Sequence, residues 1–270
     1  MPKLSNRKTS ATTRLITAVT LALSMLLADV AVTGEESSPY AIPESDAGLA
    51  GEGPIRRYDW FRNLWEGRRS AWAKTIEQDQ GAVVFLGDSI MQGWGDGLGP
   101  AFPGIKVANR GISGDTSRGV LIRLHEDVFA LKPSAIVLLI GTNDIEEKAA
   151  PDLIARNVKL IIDTINDYDS QLPIIFCDVF PSSESMGRPT ELIQEINSYT
   201  RSFIDDYAQI IRLDTFALFD DGQGNAKPAE FPDLLHPNEI GYAKWAEALR
   251  PILAQLQLPQ IERQRQPQPQ

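Results

Sequence analysis

Short apolar runs alternate with amphipathic stretches along most of the chain. Runs of about four to six mostly apolar residues, bounded by turn-forming residues, are typical of strands buried on both faces of a sheet. The four clearest runs are 82–86, 135–140, 174–179 and 210–213. A weaker run at 106–108 brings the number of predicted strands to five.

Stretches with the spacing of amphipathic helices lie between and around these runs. The clearest begins at Pro151-Asp152, a helix-start signal, and continues to Ile165 with its branched apolar side chains on one face. Further helices are predicted at about 58–78, 117–130, 190–207 and 238–256.

This alternation predicts an α/β fold. Continuous apolar strands separated by helices are typical of a parallel sheet that helices cover on both faces. We therefore predict a single domain, built as a three-layer α/β/α sandwich around a five-stranded parallel sheet of the flavodoxin-like kind. In such sheets, active sites form beside the carboxyl ends of the strands. Polar residues at those ends are the first candidates for a functional site.

The first 34 residues have the pattern of an export signal. Four basic residues precede an apolar stretch from Leu15 to about Val32, and small residues follow it. The stretch is interrupted by Asp29 and is less apolar than the ~20 residues that a membrane span needs. We therefore predict a signal peptide at 1–34 and an exported protein, periplasmic or secreted, without stable membrane association.

The two ends of the remaining chain differ from its middle in composition. Residues 35–54 are rich in Gly, Ser, Glu and Pro without periodicity, which predicts a flexible lead-in. Residues 259–270 are rich in Gln and Pro and predict a disordered tail. The folded domain is therefore expected at 55–258, an ordinary size for one domain.

The chain is strongly acidic. Its formal net charge is −10, and removal of residues 1–34 would make it about −13. Such a chain repels phosphate backbones and anionic bilayers, so nucleic acid and membrane surfaces are poor partner candidates. The single cysteine, Cys177, lies in an apolar run and is expected to be a buried thiol. The protein would then fold without disulfides.

Three of the predicted strands end in small polar residues. Gly87-Asp88-Ser89 follows the first strand, Asn109-Arg110-Gly111 the second, and Gly141-Thr142-Asn143-Asp144 the third. The carboxyl ends of parallel strands meet at one edge of a sheet, so all three turns are expected there. Each turn alone is more typical of a helix cap, because these residue types commonly turn the chain and cap helices.

A fourth segment favours a catalytic site over simple helix caps. Asp233 lies three residues before His236, one of only two histidines, after the last predicted strand. At this spacing in a turn, the carboxylate can accept a hydrogen bond from Nδ1 of the imidazole, which leaves Nε2 free to act as a base. A serine hydroxyl needs such a base to become a nucleophile, and Ser89 at the end of the first strand can supply that hydroxyl.

These segments resemble the sequence blocks of the SGNH or GDSL-type esterases and lipases. The first block is Gly87-Asp88-Ser89-Ile90, with Ile where the family name has Leu. The other three blocks follow in family order as Asn109 to Thr116, Gly141 to Asp144, and Asp233 to His236. The resemblance implies the SGNH hydrolase fold and an ester hydrolase activity.

The resemblance also assigns roles to five residues. It implies that Ser89 is the nucleophile, His236 the general base and acid, and Asp233 the carboxylate that orients the imidazole. It implies an oxyanion hole formed by the backbone N–H groups of Ser89 and Gly111 and by the side-chain amide of Asn143. Ester hydrolysis by any serine enzyme requires such donors, because the oxyanion of a tetrahedral intermediate is stabilised best by groups already fixed around it.

Other kinds of site fit the sequence less well. The nucleophile elbow of α/β-hydrolases requires a second glycine two residues after the serine, and Ser89 has none there. A phosphate- or nucleotide-binding domain would carry a glycine-rich phosphate motif after the first strand, which is also missing. No cluster has metal-ligand spacing, so we predict no metal and no cofactor. His125 is expected to be a surface or packing residue.

Within the family, the chain is similar to platelet-activating-factor acetylhydrolase catalytic subunits and bacterial acetylesterases, through the segments 85–89, 114–118 and 233–237. This similarity implies an esterase for short acyl groups, acetyl above all, with a carbohydrate or another extracellular ester as substrate. The alternatives are a lysophospholipase or thioesterase of the same family, and a non-catalytic relative that binds carbohydrate.

Substrate contacts are expected from three less regular segments, 91–102, 180–189 and 220–231, because loops over the sheet edge commonly shape a pocket. Trp94 and Phe102 in the first of these are explained at least as well as core aromatic residues. The tryptophans at 60, 65 and 72 are expected to pack in the first helix rather than to form a platform for a sugar.

Overall fold

A computed structural model, which describes residues 38–258, contains one parallel sheet of five strands. The strands are β1 (Val83–Gly87), β2 (Val107–Gly111), β3 (Ala135–Leu139), β4 (Ile174–Cys177) and β5 (Ile210–Leu213). Their order across the sheet is β2-β1-β3-β4-β5, which is the flavodoxin-like order. The predicted α/β fold and its five parallel strands are confirmed.

The second strand is longer than its sequence predicts. Asn109-Arg110-Gly111 was expected to be a turn, but it lies within β2, where Arg110 pairs with Leu86 and Gly111 with Gly87 of β1. Arg110 can occupy a buried strand position because its guanidinium binds the carboxylate of Asp79 at 2.7 Å. The strand therefore extends through Arg110, because its charge is paired, and the apolar pattern alone predicts a strand that is too short.

Helices cover both faces of the sheet. In chain order they are α1 (Asp59–Ala73), α2 (Ile76–Asp79), α3 (Ser89–Gln92), α4 (Leu98–Ala101), α5 (Ser117–Ile122), α6 (Leu124–Asp127), α7 (Thr142–Glu146), α8 (Pro151–Tyr168), α9 (Thr190–Ile204), α10 (Thr215–Phe219) and α11 (Glu239–Gln255). One face packs Leu86 and Leu138 against Val158 and Ile162 of α8. The opposite face packs Phe85 and Val137 against α3 and α11.

One predicted helix is broken. The stretch 117–130 forms the short helices α5 and α6, followed by a 3₁₀ turn at Phe129–Leu131. The break falls at Arg123, whose side chain is fully buried and bonds the Asp115 carboxylate and the carbonyl oxygens of Gly87 and Arg110. These bonds turn the residue inward, away from the helical path. The predicted helix at 58–78 likewise ends at Ala73 and is followed by α2.

Residues 38–54 contain no helix or strand, yet they are held against the domain. Ile42 is 3% exposed and packs in a cluster with Phe61 and Trp65 of α1. Arg118 of α5 bonds the Asp46 carboxylate and the carbonyl oxygens of Ala50 and Gly53. The compact unit accordingly begins at Pro39, earlier than residue 55. The flexible lead-in expected from composition is therefore replaced, from residue 38 onward, by an irregular but bonded segment.

Several aromatic residues of the predicted substrate loops lie in the core. Trp94 and Phe102 are 5% and 1% exposed, and they pack against each other and against Phe85. Phe180 and Phe231 from the other two segments are also buried. The interpretation of Trp94 and Phe102 as core aromatics is the one that the structure supports.

The tryptophans of α1 do not behave alike. Trp65 is fully buried, as predicted, and Trp72 is half-buried. Trp60, however, is 52% exposed, so the prediction that all three are packing residues is wrong for this one. Phe61 and Trp65, four residues apart, share the buried face of the helix, and Trp60 stands just outside it.

Some sequence predictions concern residues that are not described. The signal peptide at 1–34 and the tail at 259–270 lie outside 38–258. Within the described residues, no helix has the length and apolar character to cross a membrane. Cys177 at the end of β4 is fully buried, as expected.

Candidate active site

Ser89 lies where β1 ends and α3 begins. It is the first residue of α3, so its backbone N–H has no acceptor within the helix. Asp88 caps this helix, because its Oδ1 accepts a hydrogen bond from the N–H of Ile90 at 2.9 Å. β1 lies next to β3 in the sheet; the chain continues from β1 to β2 on one side and from β3 to β4 on the other, and ligands bind at such points in open α/β sheets.

The structure brings the three residues of the expected triad together. Nε2 of His236 lies 2.9 Å from Oγ of Ser89, although 147 positions separate the two residues. Nδ1 of His236 lies 2.7 Å from Oδ2 of Asp233. Since a carboxylate only accepts, Nδ1 carries the proton and Nε2 presents its lone pair to the serine hydroxyl. This is the arrangement in which an imidazole can remove the hydroxyl proton.

The loop before α11 fixes Asp233 with its own backbone. Oδ1 of Asp233 accepts hydrogen bonds from the N–H groups of Leu235 and His236 at 3.0 and 2.7 Å. Partial burial alone would raise the pKa of Asp233, but these N–H groups and the imidazole outweigh it and hold the pKa below its ordinary value. Asp233 is therefore ionised at neutral pH and can stabilise an imidazolium.

Leu234 gives this loop an unusual backbone conformation. Its φ is 61°, in the left-handed region that non-glycine residues rarely adopt, and such conformations occur often at functional sites. Its carbonyl oxygen accepts a hydrogen bond from Oγ of Ser182 at 2.7 Å. The contact ties the loop to the segment that follows β4.

Gly111 is required by the closeness of α3. A side chain at this position would start 2.3 Å from the backbone N of Gln92 and 2.7 Å from the carbonyl oxygen of Asp88, and backbone atoms cannot give way. Its N–H donates to Oδ1 of Asn109 at 2.9 Å. The structure therefore places Gly111 against the helix that carries Ser89, with its expected oxyanion donor already bonded to a neighbouring amide.

Asn143 lies in the first turn of α7 and is 3% exposed. Its Nδ2 donates to the carbonyl oxygen of Asp115 at 2.9 Å and faces Oδ2 of Asp88 at 3.3 Å. Its Oδ1 accepts from Nη2 of Arg188 at 3.3 Å. Because the partners on one side only accept and the guanidinium only donates, a single orientation of the amide satisfies all three.

Arg188 is a residue of this site that the sequence does not reveal. It is 3% exposed, and besides Asn143 it bonds Oγ1 of Thr142 at 3.1 Å and the Glu146 carboxylate at 2.8 Å. It thus holds both ends of α7 from a distant irregular segment. An arginine in such a segment is typical of the surface, and only the fold brings it to Asn143.

Two buried acidic residues lie behind these groups. Burial raises the pKa of Asp88 to about 6, although the N–H of Ile90 opposes the shift. Burial raises the pKa of Asp144 to about 7, against hydrogen bonds from the hydroxyl and the N–H of Ser117. The buried side of the site is therefore polar, closely bonded and costly to ionise.

Metal ligands are not grouped anywhere in the described chain. No set of three His, Cys, Asp or Glu residues within 38–258 is arranged to hold a metal ion. His125 lies on α6 with its ring edge-on to Phe129 at 5.2 Å, as a surface histidine packed on an aromatic side chain.

Comparison with known proteins identifies the family. The model described as "GDSL-like Lipase/Acylhydrolase family" matches residues 85–244, which is more than half of the chain. The chain therefore belongs to this family and is a carboxylic ester hydrolase. The expectation from the sequence blocks is confirmed at this level.

Two kinds of relatives are similar to this chain in sequence. The human "Platelet-activating factor acetylhydrolase IB subunit alpha2" is 27% identical over 228 residues, covering 82% of this chain and 93% of that protein. The "Acetylxylan esterase" of Geobacillus stearothermophilus is 28% identical over 159 residues, covering 54% of this chain and 70% of that protein. A GDSL-like lipase structure from Bacteroides thetaiotaomicron shares the fold, with a TM-score of 0.58, 24% identity, and coverage of 70% of this chain and 95% of that one.

Proposed function

We propose that this acylhydrolase is a serine esterase that removes short acyl groups, acetyl above all, from carbohydrate esters. The observation that carries the catalytic part is the hydrogen-bonded series from Ser89 through His236 to Asp233, with contacts of 2.9 and 2.7 Å. These contacts support the proposal, because acyl transfer by a serine requires a base within reach of the hydroxyl and a carboxylate that orients this base.

The reaction proceeds through an acyl-enzyme in two steps. Oγ of Ser89 attacks the ester carbonyl carbon while Nε2 of His236 takes the hydroxyl proton. The resulting tetrahedral intermediate expels the alcohol, which receives that proton from the imidazolium. A water molecule then attacks the acyl-serine with the same base, and the carboxylic acid leaves as Ser89 regains its proton. Asp233 keeps the imidazole in its reactive tautomer throughout.

The oxyanion of each intermediate needs donors at one point. In this proposal the N–H of Ser89 is the donor without an acceptor in its helix. Nδ2 of Asn143, which also bonds the carbonyl oxygen of Asp115, and the N–H of Gly111, which also bonds Oδ1 of Asn109, are the other two. Arg188 holds Oδ1 of Asn143, so that the amide presents its NH₂ group to the site.

Two observations support a small acyl group. The names of both kinds of relative refer to an acetyl group, one in platelet-activating factor and the other in acetylxylan. In addition, Met91, Trp94 and Phe102, which follow the nucleophile, are turned into the core. They do not form an exposed apolar groove for a long acyl chain. The N-terminal pattern at 1–34 supports an exported enzyme acting on an extracellular ester.

A fluorophosphonate probe and a panel of esters test the proposal. We expect the wild type to be labelled, Ser89→Ala to lose labelling, and Ser185→Ala, an exposed serine elsewhere, to keep it. We also expect kcat/KM for p-nitrophenyl acetate to exceed that for the decanoate at least tenfold, with acetate released from acetylated xylan or sialosides. An unlabelled wild type would refute the nucleophile. A preference for chains beyond about eight carbons would indicate a lysophospholipase or thioesterase instead.

A further inference from the structure

Tyr58 and Trp60 form an exposed aromatic surface at the start of α1. Each side chain is 52% exposed, and the two rings are nearly parallel, with planes 14° apart and centroids 6.4 Å apart. Two other tyrosines in the described chain are similarly exposed, Tyr168 and Tyr199, but Tyr168 stacks on Phe129. Exposed aromatic surface of this extent is a common mark of a binding site.

This aromatic pair lies against the two segments that follow β2 and α7, the elements that carry Gly111 and Asn143. A Cβ atom at Gly114, three residues after Gly111, would lie 2.6 Å from the Trp60 ring, so the indole rests on that loop. Oη of Tyr58 donates to Oε2 of Glu147 at 3.2 Å, directly after the α7 helix that carries Asn143. The aromatic pair therefore lies beside the segment that follows β2 and beside the C-terminal end of the helix that carries Asn143.

A polar rim of paired charges lies beside the rings, at the C-terminal end of α7. Arg56 bonds the carboxylates of Glu146 and Glu147, and Arg188 shares Glu146. Two arginines thus balance two glutamates, and the side chain of Glu146 is still 49% exposed. A neutral ligand with hydroxyl groups fits such a rim better than a cation or an anion, since carboxylate oxygens accept hydrogen bonds from hydroxyls.

We propose that Tyr58 and Trp60 form a subsite for a pyranose ring of the ester substrate. One face of a pyranose consists of C–H groups that pack on a flat aromatic surface, and the hydroxyls at its edge can bond the Glu146 carboxylate. The inference rests on the proposed function, because it assigns a sugar to the alcohol side of the ester. Both aromatic residues precede the region 85–244 that matches the family model, so the subsite lies outside the segment that this model describes.

The test compares two substrates in the wild type and three variants. In Trp60→Ala we expect kcat/KM for an acetylated xylo-oligosaccharide to fall roughly 3- to 10-fold, in line with the loss of one stacking contact, and kcat/KM for p-nitrophenyl acetate to change less than twofold. Trp60→Phe should recover most of the loss, because it keeps an aromatic face. Tyr199→Ala removes a comparably exposed aromatic residue from α9 and should affect neither substrate.

The outcomes separate this inference from the proposed function. Equal activity of wild type and Trp60→Ala on the oligosaccharide would refute the subsite while leaving the esterase proposal intact. Equal losses on both substrates would also refute it, because they would indicate a packing role. A wild type that cleaves p-nitrophenyl acetate but no acetylated sugar would refute the carbohydrate substrate, and the subsite with it.

Discussion

The two sides of the candidate active site are built in opposite ways. The Asp233–His236 loop is open to solvent, with the two side chains 50% and 41% exposed, and Asp233 is held by N–H groups of its own loop. Asn143, across from it, is 3% exposed and is held by Asp115 and Arg188, which lie 28 and 45 positions away.

The difference follows from what each side has to do. A base must meet the substrate and, in the second step, a water molecule, so it is useful only where both can reach it. An oxyanion donor is useful only if its dipole is fixed before the charge develops. Short-range bonds are enough to select a tautomer, whereas fixing an amide takes several partners. Substitutions in the loop should therefore affect chemistry with little loss of stability, and substitutions on the buried side should affect both.

Among the variants that test this difference between the two sides, we expect the largest loss of activity for Asp233→Asn. The asparagine Oδ1 can still accept from both loop N–H groups, but its NH₂ group would face Nδ1 of His236 and favour the tautomer with the proton on Nε2. That imidazole cannot accept the serine proton, so kcat should fall roughly 10⁴-fold. Steady-state kinetics and thermal unfolding measure the two sides of the prediction, and Tm should change little.

The control for this variant is Asp221→Asn. Asp221 also accepts two backbone N–H bonds in an exposed turn, from Gln223 and Asn225, but lies at the other end of the connection between α10 and α11. It should keep full activity. A large fall in Tm for Asp233→Asn would contradict the locally supported loop.

A smaller loss of activity, accompanied by a loss of stability, is expected for Asn143→Ala. Removal of one oxyanion donor costs roughly 10²- to 10³-fold in kcat. The carbonyl of Asp115 and the guanidinium of Arg188 also lose a buried partner, which typically costs about 1–3 kcal/mol of unfolding free energy per group. Kinetics and denaturant unfolding of the same preparation give both values.

Asn197→Ala separates the two losses. Asn197 of α9 is 2% exposed and bonds both the N–H and the carbonyl of Val179, which follows β4. It should lose stability without a comparable loss of kcat. Equal losses of kcat in both variants would mean that the effect at Asn143 is structural.

The smallest expected effect is a dependence of protein stability on pH, caused by Asp144 on the buried side of the site. Asp144 has a pKa of about 7 in the fold, above its ordinary value near 4, so the folded state retains a proton that the unfolded state releases. The contribution of Asp144 to stability therefore falls as pH rises from about 4 to 7. Asp144→Asn cannot ionise, so its Tm relative to wild type should increase by several degrees across that window. Asp167→Asn, an exposed acid on α8, should show no such trend.

The sheet and the proximity of the candidate catalytic residues could be predicted because their signals are local in sequence. Strands buried on both faces are continuous apolar runs, and β1 and β3 differ from their predicted bounds by a single residue. The Asp233 and His236 pair could be anticipated for a similar reason. The residues are three positions apart, and one short turn decides their geometry.

Features that depend on distant partners could not be predicted in this way. Arg123 interrupts a predicted helix because its side chain bonds the buried Asp115 carboxylate. Arg188 contacts Asn143, 45 positions away in sequence, only because the fold brings the two residues together. Trp60 and Trp65 belong to one helix, and only the position of the helix on the domain decides which of them is buried. The segment that begins at residue 38 is likewise held to the domain by Arg118, which lies 72 positions after its partner Asp46.

The burial of Cys177 has a practical consequence. This is the only cysteine of the chain; it is fully inaccessible at the end of β4, and burial raises its thiol pKa far above the ordinary value. The protein is therefore a clean background for thiol-directed labelling. A single cysteine introduced on the exposed surface of α1 would carry a spectroscopic reporter that follows ligands at the rim without a competing signal from the native sequence.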